Sequence, residues 1–239
     1  MILISKEIIM LNLELSTLTK IALWIIYIII PLVILYISYL VITKAFDFLG
    51  FSPVESFIII FFTIFLGLPI TIFGYNISNF SLFNYNGWIV AISTAGALIP
   101  TIISIFLIIK NKLSLKELTI ALFVITIVSF IVTHPEPSKG IISHFPYWIL
   151  PGFAACLISI ILCKKNFKKG ASMSYSTGVI GVLIGADFLH LPELLTYPPT
   201  KIGTRAIIGG AIVLDMVFIT GIIAVLLYGL IMFRYQKNQ

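Results

Sequence analysis

Seven nearly continuous apolar runs, at 21–43, 57–75, 88–109, 118–133, 146–163, 173–191 and 206–233, constrain this chain more than any motif in it. Each is close to the ~20 residues that a helix needs to cross the hydrocarbon of a bilayer, the fourth being the shortest. In lipid every backbone polar group needs an internal partner, so a spanning segment is a helix or part of a closed barrel. The runs are continuous rather than alternating, which selects helices. With 60% hydrophobic and 10% charged residues among 239, the composition is that of a membrane protein rather than a soluble domain. The expected fold is all-α: a polytopic membrane helix bundle of about seven transmembrane helices.

Charge sets the expected orientation. One side of the seven-span scheme carries Lys44, Lys110, Lys112, Lys116, Lys164, Lys165, Lys168, Lys169, Arg234 and Lys237, and the other carries Lys6, Lys20, Lys139, Lys201 and Arg205. The richer side is expected in the cytoplasm, which puts the N-terminus outside and the C-terminus inside. The net charge of +6 then reflects topology and contact with anionic lipid, and no nucleic-acid partner is expected. The lipid bilayer is the expected partner, with self-association left open.

Residues 1–20 are expected to form an interfacial segment, 21–233 the transmembrane domain and 234–239 a cytoplasmic tail. Glu7 and Glu14 interrupt the apolar stretch of residues 1–20 and no small-residue cleavage site follows, so the segment does not look like a cleavable signal. Cys156 and Cys163 lie seven apart on one helix, too badly placed to bridge and without metal-binding spacing. The longest loops, about 76–87, 134–145 and 192–205, fall on the outer side. A faint internal repeat pairs Ile30-Pro31-Leu32 with Leu150-Pro151-Gly152, and Ala95–Ile99 with Gly209–Val213. It would make two parallel three-helix repeats joined by a linker helix, an arrangement found in some small transporters.

Two acids stand apart. Asp187 and Asp215 sit inside the last two runs, whereas the other acids lie in or beside loops. A carboxylate in hydrocarbon is costly, so an acid kept there is a functional candidate by default. Gly178, Gly181 and Gly185 form a small-residue stripe on the sixth run, and Gly210 and Gly221 do so on the seventh, suited to close helix packing. In each case the acid projects from the opposite side of the helix. No span interior offers Lys, Arg or His, and on a regular helix Arg205 would lie ~15 Å above Asp215. The acids can therefore be protonated, bind a cation, or share a proton. His190 stands three residues from Asp187 on the same helical side. His134, Glu136, His144, His190 and Glu193 share the outer side and offer nitrogen and oxygen ligands for a metal, though no local motif fixes their spacing. A bound cation is the one cofactor to consider.

Three stretches carry a family resemblance: Ala95–Pro100, Leu183–Asp187, and Ile208–Ala211 through Asp215 to Ile222. On these, residues about 85–230 resemble an uncharacterised prokaryotic membrane family, domain of unknown function 1614, whose acidic positions coincide with Asp187 and Asp215. Ile212 and Met216 stand where the family pattern has glycines. Gly185-Ala186-Asp187-Phe188 and Leu214-Asp215 also look like the Gly-x-Gly-Asp and Tyr-Asp motifs of the presenilin type of intramembrane aspartyl protease, in reversed order along the chain and with Ala186 and Leu214 as departures.

Three functions follow as expectations. The leading one is transport of a small cation or a proton-coupled solute, with Asp215 as the core ligand and Asp187 as the outer one. An intramembrane aspartyl protease is the second, with both acids as the catalytic pair. The third is a structural or accessory subunit. A protease needs the acids at one depth, but helix counting puts Asp187 ~6 Å and Asp215 ~15 Å from the outer ends of their helices. A delayed start of the last helix, with 200–209 re-entrant near Gly209-Gly210, would bring them level.

Overall fold

The computed structural model describes residues 2–137, 139–163, 166–210 and 215–237. It is mostly helical, and four helices are long and apolar enough to cross a membrane: Thr19–Phe48, Leu115–Val132, Phe167–Thr196 and Met216–Arg234. Three shorter apolar helices, Pro53–Gly67, Thr94–Lys110 and Tyr147–Cys163, accompany them. The apolar helices point to a membrane-associated protein. Of the expected seven or so spans, the described residues show four helices of spanning length and three shorter apolar ones.

The chain divides into two units, residues 1–42 and 43–239. The first belongs to α1 (Ile2–Phe48), a single helix with Pro31 inside it. Apolar side chains surround it: Trp24, Ile28, Leu32 and Leu35 are all exposed. A helix hydrophobic all round suits lipid or a partner rather than water.

In the second unit α6 (Phe167–Val182) is the central helix, packed by α3 (Ile99–Lys110), α4 (Leu115–Val132), α5 (Leu150–Cys163) and α8 (Met216–Lys237). Its sequence explains the position. Gly170, Ala171, Ser172, Ser174, Ser176, Gly178 and Gly181 are all buried and small, so neighbours approach closely. The Ser and Thr hydroxyls of α6 find partners within the bundle. Ser176 donates to the Ser104 carbonyl of α3 at 3.2 Å, Thr177 to the Met173 carbonyl at 2.7 Å, and Asn111 donates to Ser172 at 2.8 Å. A Cβ on Gly181 would stand 2.6 Å from Cγ2 of Ile125 in α4. A Cβ on Gly221 would stand 2.7 Å from Val179 of α6. Gly178 faces Thr220 of α8 and Ala155 of α5.

The all-α expectation needs correction, because the second unit also holds strands. After α2 (Pro53–Gly67) come β1 (Thr71–Ile72) and β2 (Tyr75–Asn76), a short hairpin. Next are β3 (Asn79–Tyr85) and β4 (Trp88–Ser93), joined through Asn86-Gly87. Both turn residues have positive φ, 46° and 82°, the two-residue turn that matches strand twist. A second small hairpin is formed by β5 (His134–Glu136) and β6 (Gly140–Ile142). β7 (Thr204–Ile208) pairs parallel to β4, in register Trp88↔Thr204 to Ile92↔Ile208, giving the order β3-β4-β7. The runs 57–75, 88–109 and 206–233 are thus not helical throughout: the first ends its helix at Gly67, the second opens as β4, and the third opens as β7.

The repeat is corrected with them. Ala95–Leu98 form a π-helical turn after β4, whereas Gly209-Gly210 form a turn after β7 and residues 211–214 lie outside the described residues. The similarity therefore marks two parallel strands followed by glycine-bearing turns, not two three-helix halves.

Candidate functional site

Asp187 comes to the site on the end of α6. The helix runs on into a π-helical turn, Leu183–Phe188, that contains the residue, and then into the short helix α7 (Leu191–Thr196). Such wide turns are rare and gather at functional positions. Packing holds this one: a Cβ on Gly185 would lie 2.8 Å from Ser129 Cβ and overlap the Thr126 carbonyl of α4. Asp187 is buried, and its Oδ2 accepts from the Gly209 N–H at 2.6 Å.

Gly209 and Gly210 end β7 with φ of +81° and +73°, a left-handed backbone that glycine adopts without penalty. Neither position has room for a side chain. A Cβ on Gly209 would stand 2.5 Å from Ala97 Cβ and 2.7 Å from Ala97 N, so the turn seats on the Thr94–Leu98 π turn. A Cβ on Gly210 would fall within 2.5 Å of the carboxyl carbon and both oxygens of Asp215. One dipeptide thus donates to one acid and leaves space for the other.

Asp215 immediately precedes α8. Its carbonyl receives the Ile219 N–H at 2.9 Å, the first helical bond. That puts Asp215 at the N-cap position, with its carboxyl at the positive end of the helix. The last helix starts at Met216, so its start is delayed past the acid, with β7 and the Gly-Gly turn before it.

Both acids line two cavities. One, of ≈ 240 Å³, is bounded by Lys139, Gly140 and Ile141 of the second hairpin and by Arg205–Ile208 of β7. The other, of ≈ 350 Å³, is bounded by Ile141, Ser143, Trp148, Val182 and Ile219. Ile141, Asp187 and Asp215 line both, so the cavities adjoin at the acids. Arg205 stands in the wall of the first cavity rather than ~15 Å up a helix, because 204–208 is a strand, not a helical turn of rise 1.5 Å per residue. Basic groups therefore share the acids' cavity.

The other candidates divide. His190 is buried, stacks on Phe130 at 4.3 Å and donates from Nε2 to the Phe130 carbonyl at 3.1 Å. It lines neither cavity, and with Glu193, 3.7 Å from its Nδ1, it lies outside the grouping formed by His134, Glu136 and His144. Gly210 serves the Asp215 carboxyl from a turn and is not a helix-packing residue. Leu214 lies outside the described residues. Gly209, the donor to Asp187, enters the sequence reading as part of a re-entrant stretch and not as a partner of the acid. Its signal was present: the five-residue run Thr204–Ile208 is bounded by Gly203 and Gly209, as a strand would be.

A family model described as "Protein of unknown function (DUF1614)" matches residues 65–227, which include both acids and all three strands of the larger sheet. No curated protein and no solved structure is similar to the chain.

Proposed function

The chain belongs to this family of unknown function, DUF1614, and from that premise we propose, on the site alone, that Asp187 and Asp215 form an aspartyl dyad that hydrolyses peptide bonds of membrane-embedded substrates. One observation carries the reading: both carboxyls flank a single Gly-Gly turn and line the same two cavities, beside the edge strand β7. The delayed start of α8 supports it by removing the depth difference that regular helices would impose.

In this reading Asp215, at the positive end of α8, carries the charge, and Asp187, away from that helix end, carries the proton. The Asp215 carboxylate takes a proton from water as the water oxygen attacks the peptide carbonyl carbon, while Asp187 gives its proton to the carbonyl oxygen. The tetrahedral intermediate then collapses: the C–N bond breaks, the nitrogen leaves with a proton from Asp215, and Asp187 recovers its own from the hydroxyl. Among the described residues β7 is paired on one side only, by β4, and an extended substrate adds as a strand on the other. We place the basic side of the chain in the cytoplasm, N-terminus outside.

A small-cation or proton-coupled carrier, and an accessory subunit, are the competing readings. Lys139 and Arg205 in the acids' cavity weigh against a resident cation. The test is the full chain reconstituted in vesicles with a library of single-span peptides, cleavage read by mass spectrometry. Cuts within the span that disappear in D187N and in D215N, with melting unchanged, are expected. Intact peptides together with pH-gradient-driven uptake lost in both variants would move the assignment to a carrier. Intact peptides, no uptake and impaired assembly in both variants would leave the acids structural.

A further inference from the structure

The β5–β6 hairpin carries chemistry that the aspartate pair does not use. His134 and Glu136 are two apart on β5, so both side chains leave one face of the strand. His134 is opposite Ile142, and His144 follows Ile142 by two residues, the diagonal neighbour on that face. One ligand atom from each of His134, Glu136 and His144 lies within 4.8 Å of the others. His134 Nε2 stands 3.7 Å from Glu136 Oε1, and the two imidazole rings are 5.1 Å apart at 40°. The group stands beyond the end of α4 at Val132, outside the spanning helix.

The geometry points to a divalent transition-metal site of the zinc class, held by His134, Glu136 and His144. Two imidazole nitrogens and a carboxylate are the protein donors of three-ligand zinc sites, which keep a fourth position for water. Calcium and magnesium ask for oxygen donors instead. The carboxylate is prepared for this role. Lys139 donates to Oε2 at 2.9 Å, while Oε1 turns toward His134. A hydrogen bond on the non-ligating oxygen is the support that metal-bound carboxylates ordinarily have. Bonds of ~2.0–2.1 Å need the ligand atoms to draw in by about 1 Å. The side chain of His134, 45% exposed, is free to rotate that far.

An ion here would tie the start of β5 to the chain just after β6, closing the base of the hairpin. Lys139, Gly140 and Ile141 of that hairpin wall one cavity, and Ile141, Ile142 and Ser143 wall the other. The metal would fix a wall of the aspartate site without joining its chemistry, and this proposal stands whether or not the dyad is hydrolytic.

The test is calorimetric titration of Zn²⁺ into the full chain in detergent micelles, stripped with EDTA and free of any polyhistidine tag, with Co²⁺ absorbance as a second readout. One Zn²⁺ per chain is expected, with affinity falling at least tenfold in H134A and in H144A and unchanged in H190A. The Co²⁺ spectrum should be that of a low-coordinate N/O site in the wild type and be absent from H134A/H144A. Melting in EDTA reports whether each variant is folded. No saturable Zn²⁺ binding by the wild-type chain, or equal binding by H134A/H144A, would overturn the assignment.

Discussion

Replacing Gly210 by alanine tests the site through backbone geometry rather than through the acids themselves. Two costs attach to the new methyl. The first is conformational: Gly210 sits at φ +73°, and a left-handed backbone costs an L-residue about 1–2 kcal/mol. The second is steric: the Cβ would fall within 2.5 Å of the carboxyl carbon and both oxygens of Asp215, far inside van der Waals contact. Forcing an extra carbon into a packed position costs roughly a further 1–3 kcal/mol. Gly50 separates the two, because it has φ +82° and no atom within 4 Å of a built Cβ. G50A should therefore lose only the conformational cost, and G210A should lose ~1–3 kcal/mol more. Unfolding free energies in mixed micelles give the difference directly. Peptide hydrolysis adds a second readout, since moving a reacting group by ~1 Å can cost on the order of 10²-fold in rate. G210A that is no less stable than G50A and turns over at the wild-type rate would refute the placement of Asp215 against the Gly-Gly turn.

Gly181→Ala should destabilise the bundle by ~1–3 kcal/mol through Ile125, whose Cγ2 and Cβ lie 2.6 and 2.7 Å from the added methyl; in the I125G background, which removes both atoms, the added cost should vanish, and additive costs in the double-mutant cycle would contradict that contact. Trp88→Phe removes an indole N–H donated to the Tyr197 carbonyl at 2.7 Å, so it should cost about 0.5–1.5 kcal/mol in unfolding free energy, and a neutral result would show the bond to be dispensable. Lys139→Met should return the Glu136 carboxyl toward its ordinary range, read by carbon-13 titration of labelled glutamate. Because the pair holds Glu136 low, its contribution is present at neutral pH and fades as pH falls through the lowered value; an unchanged titration would remove Lys139 from that role.

Hydropathy made the long helices legible: Leu115–Val132 and the α6 and α8 segments overlap the runs at 118–133, 173–191 and 206–233. It hid the strands for the same reason. Trp88-Ile89-Val90-Ala91-Ile92-Ser93 and Ala206-Ile207-Ile208 are as apolar as a span, and β4 is buried on both faces, so its sequence does not alternate. The hairpin signal was local and specific: Asn86-Gly87 between two β-rich runs is the strongest short-range mark of a two-residue turn. The acids were legible because charge in an apolar run is conspicuous. Their relation was not, because one continuous helix over 206–233 would put Asp215 deep within it, whereas the segment opens as the strand β7 at Thr204 and α8 starts only at Met216. His134 and His144, ten residues apart, gain their proximity only from the register of β5 on β6.

A sheet inside a chain of this composition has an energetic consequence. Unpaired N–H and C=O groups facing lipid cost several kcal/mol each, so an open strand edge is tolerated only against protein or beside water. β7 is the outer strand of its sheet among the described residues, and Arg205–Ile208 border the cavity that also holds Lys139 and the two aspartates. Polar cavity and strand edge thus require each other. A cation pathway would be served by the acids alone and has no use for the strand. Hydrolysis does, because a peptide bond within a helix has its polar groups occupied by its own turns, whereas a chain drawn out along β7 satisfies its backbone on the strand and leaves one carbonyl to the acids. On that ground the edge of β7, more than the carboxyls themselves, favours a hydrolase over a carrier.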